Sequence, residues 1–484
     1  MSENVHESHI APTPIEKLLA PVSKFIHQDT SSGLIMVAFM IIALVWANSP
    51  WVDAYDHFLH IPLTFGFGPW TITNSLSHWV NDGLMTVFFF LVGLEIKREF
   101  LAGELSTRQQ AILPVIAAIG GMIAPALIYT FFNWGQPSMK GWAIPTATDI
   151  AFAMGVMSLL GKRVPLSLKI FLTALAIADD IGAIIIIAVF YAGEIHVMAL
   201  LGAAVVLGIL LWGNRMCVRS LLFYSFCTFL LWAFILQSGI HATLAGVMAA
   251  MTIPFRSYSS GKNFVSAARA SLYNYESAFA QGDYELLILP DGSEKVLYYG
   301  NDDPYRTLVN PASVDAIQDL KNYCTYVESP LRALEHNLHF WVAFLIVPLF
   351  TLCNAGIQIN LENLNKAFID PVTLGITFGL FLGKPIGILF TCFVFSKIGW
   401  VRIPKELTWI HILGAGSLAG IGFTMSLFVS NLSFASLPHI LNDAKIGILV
   451  GSLLSVLCGL GILFQYSKRK KSTPKKPKIS PYSD

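Results

Sequence analysis

The sequence predicts an all-α polytopic membrane protein of about twelve transmembrane helices, two of them broken, with a small α+β cytoplasmic insertion. Three observations carry this expectation. Hydrophobic residues make up 55% of the chain and charged ones 13%, roughly half the charged share of a soluble domain. Apolar runs near the span length of about 20 residues recur along most of the chain. Lys and Arg concentrate in alternate connections between those runs, the intervening ones being nearly free of them.

Taken in order, residues 1–28 are a polar tail. Lys17 and Lys24 precede the first apolar run, no small-residue cleavage site follows it, and Trp46, Asn48, Pro50 and Trp51 resemble the wet end of a helix. The run therefore reads as a retained span. Residues 29–255 are expected to hold spans one to eight, residues 256–334 a cytoplasmic insertion, residues 335–466 the last four spans, and residues 467–484 a basic cytoplasmic tail. The final span centres on 446–464.

Orientation follows from the charges. Lys97, Arg98 and Arg108 mark one connection; Lys162, Arg163 and Lys169 a second; Arg215 and Arg219 a third; Lys397, Arg402 and Lys405 a fourth. The tail adds Lys468, Arg469, Lys470, Lys471, Lys475 and Lys476, while 191–196 and 432–442 carry neither Lys nor Arg. That alternation puts the basic side and both termini in the cytoplasm. The formal net charge is only +1, from 31 basic against 30 acidic residues, so nothing points to a nucleic-acid partner. Six cysteines (Cys217, Cys227, Cys324, Cys353, Cys392, Cys458) lack metal-ligand spacing and mostly sit in apolar stretches. They read as small core residues, with no disulfide framework and no thiolate metal site.

From about 256 to 327 the chain is too polar to span. Two β-rich runs, Glu285-Leu-Leu-Ile-Leu and Lys295-Val-Leu-Tyr-Tyr, flank Pro290-Asp291-Gly292 and read as a hairpin. Residues 313–326 read as a helix, with Ser313 as its cap.

Charge inside a span is costly and points to function unless a partner explains it. Asp149, Asp179, Asp180 and Lys384 lie well inside apolar runs, and Asp82 lies nearer a span's end. Adjacent side chains on a helix diverge by about 100°, so Asp179 and Asp180 cannot both aim at one point. One can line a cavity while the other faces a neighbouring helix. Two carboxylates this close titrate as a coupled pair. Such a site can hold protons or a small hard cation, whose preferred ligands are oxygens, but not both at full occupancy. Simple neutralisation by Lys384 is the structural alternative, yet one lysine cannot neutralise three aspartates.

Asp149 follows Pro145-Thr146-Ala147-Thr148, which should interrupt its helix, and the run from Gly414 to Ser426 is a second, glycine-broken segment. Paired interruptions in two halves of a chain point to a transporter's binding site. A buried Asp and a buried Lys are the residue types that offset the partial charges of broken helix ends. At the cytoplasmic edge, Glu95, Arg98 and Glu99 close one span, and Arg332, Glu335, His336 and His339 open another. Both groups are either ordinary charged helix ends or a pH-responsive cluster. His241 is either a hydrogen-bonded core residue or a switch.

Five motifs in order carry a resemblance: NDGLMTVFFFLVGLEIKRE at 81–99, ATDIAFA at 147–153, AIADDIGAI at 176–184, GKPIG at 383–387 and GIGFTMS at 420–426. Together they resemble the NhaA-type sodium/proton antiporters over nearly the whole chain except the insertion and the extreme ends. The resemblance implies inverted-topology repeats, this family being an instance of that architecture, and two broken helices that cross near the midplane. It implies Asp180 as the central carboxylate for proton and cation, with Asp179 its neighbour able to pair with Lys384. Asp149 and Lys384 would offset the broken-helix charges, with Thr148 at the interruption. Glu95, Arg98, Glu99, Arg332, Glu335, His336 and His339 match the family's pH-responsive region. It further implies electrogenic exchange of Na+ and Li+ for H+ in a bacterial inner membrane, without a cofactor and as a homodimer among membrane lipids. The long segment before Arg332 is expected to be a departure from the family that modulates activity from the cytoplasm.

Two other classes fit less well. Another sodium-coupled transporter of similar fold would need a roomier polar cavity, and no cluster of Arg or aromatic residues suits one. An intramembrane aspartyl protease needs facing aspartates from separate helices, which adjacency on one helix denies. The chain is therefore expected not to be an enzyme.

Overall fold

The computed structural model describes residues 31–472 apart from 68–69, 217, 257–260, 281–283, 289–293, 299–310, 359–363 and 405. The expected helical, polytopic character is present. Eight described helices are long and apolar enough to cross a membrane, or up to eleven if each of three bent pairs is one span.

The first bent pair is α1 (Ser31–Ala47) and α2 (Val52–Leu59), which turn through 119°. An antiparallel hairpin follows, β1 (Pro62–Phe67) on β2 (Trp70–Ser75), with the Thr64 and Thr73 hydroxyls 2.8 Å apart across it. The long helices are then α3 (Leu76–Ala102), α4 (Arg108–Phe132), α6 (Leu166–Phe190), α7 (Val197–Arg215) and α8 (Leu221–Ser238). Between α4 and α6 lies the second bent pair, a 3-10 segment Pro137–Thr146 leading into α5 (Ile150–Leu159) at 44°. The apolar run after α8 forms α9 (Leu244–Thr252), whose nine residues fall short of a bilayer.

In the long connection, α10 (Gly261–Ala280) packs on α11 (Pro311–Val327), and β3 (Tyr284–Ile288) pairs antiparallel with β4 (Glu294–Tyr298). The Pro290-Asp291-Gly292 turn lies outside the described residues. Ser313 is not the cap of α11: the helix starts two residues earlier at Pro311, whose fixed φ suits a first helical position. After these come α12 (Pro330–Asn354), a short helical turn Leu364–Ile369, α13 (Pro371–Ile398), the third bent pair α14 (Trp409–Ala419) and α15 (Phe423–Phe434) at 46°, and α16 (Pro438–Ser472).

These helices pack as two groups. The 3-10 segment, α4, α5, α6, α13, α14, α15 and α16 form one; α1, α3, α9 and α12, with α7 and α8 joined through α9, form the other. Within the first group α4 and α13 approach backbone to backbone, because a Cβ on Gly387 would lie 2.1 Å from the Gly120 carbonyl oxygen. Between the groups, α1 meets α5 where Gly33 and Gly155 touch, α3 meets α6, and α12 meets α15.

Three spans contain a widened π turn: Trp79–Leu84 in α3, Val342–Ile346 in α12 and Gly379–Gly383 in α13. Such turns concentrate at functional segments; the last ends directly before Lys384. Among the described cysteines, Cys227, Cys353 and Cys392 are buried and Cys458 half-buried, as core residues should be. Cys324 is exposed on α11, contrary to expectation, because α11 belongs to the polar connection rather than to a span. Cys217 and Lys405 lie outside the described residues.

Candidate functional site

The two expected interruptions fall where the sequence places them. Between Thr146 and Ile150 the backbone is extended at Ala147 and Asp149. Between Ala419 and Phe423 three residues, Gly420 to Gly422, separate the half-helices. The breaks lie against each other: the Asp149 amide donates to the Ile421 carbonyl at 2.7 Å, and the Ser426 hydroxyl to the Ile144 carbonyl at 2.8 Å. A Cβ on Gly422 would stand 3.2 Å from the Ala147 carbonyl oxygen and 2.2 Å from the Ser426 hydroxyl. A side chain there would crowd both, and glycine avoids it.

Four half-helix ends converge here, and the buried charges meet them selectively. Asp149, 2% exposed, caps α5 by accepting from the Phe152 amide at 2.9 Å, and its second oxygen accepts from the Thr424 amide at 3.1 Å and the Thr424 hydroxyl. One carboxylate thus satisfies backbone donors at the positive N-ends of both α5 and α15.

Lys384 and Asp179 are each fully buried, with Nζ to Oδ2 at 2.5 Å. Nζ also donates to the Thr148 hydroxyl at 2.5 Å. Thr148 Oγ1 in turn lies 2.6 Å from Asp179 Oδ2 and 2.9 Å from the Ala419 carbonyl at the C-end of α14. A hydroxyl has one proton, so Thr148 serves one of these acceptors at a time. Lys384 therefore reaches the negative end of α14 through Thr148 rather than directly.

Asp180 is 2% exposed and differently placed. Its Oδ1 and the Oδ1 of Asp179 are buried without a hydrogen-bond partner among the described residues. The helical divergence expected of adjacent positions separates their surroundings: Asp179 carries Lys384 and Thr148. An orphaned buried carboxylate oxygen is unusual in a folded protein and invites a proton or a hard cation.

The edge residues divide. Arg98 forms an ion pair with Glu99 at 3.1 Å and, across to α12, with Glu335 at 3.0 Å. Glu99 also accepts the Glu104 amide at 2.9 Å, and Glu95 lies within electrostatic range of Glu335, Arg98 and Glu99. Arg332, His336 and His339 are exposed on α12, so the structure brings Glu335 to Arg98 and leaves these three facing outward. At the other end of α3, Asp82 sits 3.1 Å from His78 Nε2 and 3.6 Å from His241 Nε2; His241 Nδ1 lies 2.8 Å from the Thr243 hydroxyl.

Sequence reasoning overlooked Thr424 and His78. Thr424 had a signal, a hydroxyl residue just after a glycine break and thus at a helix start. His78 had one too, four residues before Asp82 on the same face.

Long apolar helices, two crossed interruptions and a buried carboxylate with a free oxygen define a membrane ion transporter as a class. Comparison with known proteins narrows this. The sequence model of the Na+/H+ antiporter 1 family matches residues 23–463, and the chain belongs to that family. It is 45% identical over 459 residues to Na(+)/H(+) antiporter NhaA 2 of Syntrophotalea carbinolica, covering 95% of this chain and 99% of that one. It is 42% identical over 474 residues to Na(+)/H(+) antiporter NhaA of Koribacter versatilis, covering 98% of each. With the NhaA of Oleidesulfovibrio alaskensis the identity is 43%, over 92% of this chain and 94% of that one. The resemblance carried by the five motifs is thus borne out.

Proposed function

We propose that the chain is an electrogenic secondary antiporter expelling Na+, and Li+ with it, in exchange for H+, for sodium and pH homeostasis. The observation that carries this is the inequality of the two aspartates: each keeps a buried Oδ1 unpartnered among the described residues, but Asp179 Oδ2 is held by Lys384 and Thr148, and no such ion pair holds Asp180 there. Proton and cation compete for Asp180, with Asp179 supplying further oxygen when it parts from Lys384.

An electrogenic cycle needs more than one proton for each cation: if a single carboxylate exchanged one proton for one Na+, transport would be neutral. On this reading more protons move inward than sodium outward, so the membrane potential drives the cycle together with the pH gradient.

On this reading the chain has twelve spans in inverted repeats, α9 lying in the eighth. It resides in a bacterial inner membrane with both termini and the 256–334 segment in the cytoplasm, and works as a homodimer without a cofactor. Asp149 fixes the two N-ends, and the Arg98–Glu335 region responds to pH on the cytoplasmic side. The test is cation-dependent dissipation of a pH gradient in proteoliposomes. Activity with Na+ and Li+ is expected, and its loss in Asp180→Asn; retained exchange in that variant overturns the mechanism.

A further inference from the structure

On the antiporter reading, on which this inference rests, a site at two crossed helix breaks must open to one side at a time. The site-bearing group of helices therefore has to part from the other group, first on one face and then on the opposite one. The contacts that join the groups along α15 are specific. Phe428 and Asn431 lie three residues apart, on one face of that half-helix. Phe428, 1% exposed, sets its ring 5.3 Å from Phe89 of α3, 6.3 Å from Phe350 of α12 and 5.4 Å from the His241 ring. Asn431 Nδ2 donates to Asn354 Oδ1 at 2.6 Å. Asn354, 3% exposed, passes the chain on, its Nδ2 donating to Asn81 Oδ1 and to the Phe350 carbonyl, each at 2.8 Å. Nearby, Asn442 of α16 donates to the Gln358 carbonyl at 3.4 Å, joining the groups again.

Position gives this chain of amides a side. Asn81 and Arg98 stand near opposite ends of α3, about 25 Å apart at 1.5 Å per residue. Asn354 and Glu335 likewise stand toward opposite ends of α12. The amides therefore close the face away from the Arg98–Glu335 pair.

Chemistry suits them to a contact that breaks and re-forms. Buried amides that are fully paired hold two surfaces in one register. Being neutral, they exchange their bonds for water at small net cost when the surfaces part, whereas an ion pair would carry large desolvation terms each way. The π turn Trp79–Leu84 contains Asn81, and along α15 Phe428 lies between Asn431 and the break at Gly420 to Gly422.

We infer that Asn431, Asn354 and Asn81 form a latch that, with Phe428, holds the transporter shut on the face away from Arg98 and Glu335, and that opens once per cycle. The residue beside the latch supplies a reporter: Cys353 is 4% exposed. With the other five cysteines replaced by serine, labelling of Cys353 by a membrane-impermeant maleimide from the Asn354 face reads the open fraction.

In Asn431→Leu the labelling rate rises about five- to tenfold, the shift that loss of one net hydrogen bond gives a two-state equilibrium. Asn81→Ala, which spares the Asn354–Asn431 bond, gives a smaller rise. If Asn431→Leu does not accumulate, Asn431→Ala carries the same comparison. Equal labelling of the parent protein and these variants overturns the latch. Asp180→Asn in the same background separates the two proposals: exchange that survives it defeats the ion mechanism, while the labelling comparison still decides the latch.

Discussion

Removing Lys384 or Asp179 alone should cost far more than removing both. Each is fully buried, and the pair is held at 2.5 Å. Lys384→Met keeps the length of the stem and deletes the charge, leaving Asp179 with the Thr148 hydroxyl. Asp179→Leu leaves the ammonium with Thr148. Breaking a buried pair from either side costs about 3–5 kcal/mol, because an uncompensated charge stays in low dielectric. The double variant has no such charge and should lie near the parent protein, giving a coupling energy of about 6 kcal/mol or more in magnitude.

The assay is thermal unfolding of purified protein in detergent. At about 2.1 cal/mol/K per residue, the unfolding entropy of 484 residues turns each kcal/mol into about 1 °C. That conversion is a lower bound, since membrane helices keep their backbone hydrogen bonds when packing is lost. Each single variant should therefore melt at least about 3 °C lower, with most of the loss recovered in the double. Additive losses would refute the buried ion pair, whatever happens to transport.

Other consequences come from the same geometry. Asp149→Ala removes the acceptor for donors at two helix starts and should destabilise by about 2–4 kcal/mol, a cap plus an orphaned buried amide, whereas Asp149→Asn should lose less; melting curves of both variants decide. Gly387→Ala forces α13 away from Gly120 and should cost about 1–3 kcal/mol, while Gly461→Ala, which meets nothing within 4 Å, should be neutral; matched melting curves check the pair. Deleting residues 263 to 326 removes most of α10 and α11 with the strands between them, and should leave exchange intact while altering its pH profile in vesicles. An unchanged profile would deny this segment a modulating role.

Legibility in the sequence tracks energetic cost. A charge in an apolar run is expensive enough to be rare, so Asp149, Asp179, Asp180 and Lys384 stood out without any structure. Pro145 and the glycines from 414 to 422 marked the breaks because those residues disturb a helix wherever they occur. The pairing of Arg98 with Glu335 was not legible, since each is plausible alone as a charged helix end. Helical spacing likewise could not say that Arg332, His336 and His339 face outward while Glu335 turns inward. Amides and hydroxyls are cheap to bury when paired, so Thr424, Asn354 and Asn431 passed as ordinary small polar residues of membrane helices. The π turns have no residue signature, being set by packing. The β1–β2 hairpin did have one, Thr71, Ile72 and Thr73 after a Gly-Pro pair, but it is short and lies beside longer apolar runs.

The imbalance of one lysine against three aspartates explains why the breaks and the carboxylates belong together. Asp149 needs no counter-charge because two helix N-ends supply it backbone donors and a hydroxyl. That frees Lys384 for Asp179, and Thr148 ties the pair to the C-end of α14. With Asp149 held by fixed donors and Asp179 Oδ2 by Lys384 and Thr148, the remaining charge requirement falls on Asp180, which has no ion pair among the described residues to offset its buried Oδ1. Straight helices would have left all three carboxylates competing for one ammonium, and none would have been singled out for exchange. On the proposed mechanism the interruptions make one site selectively needy, and that selective need lets a proton and a sodium ion displace each other there.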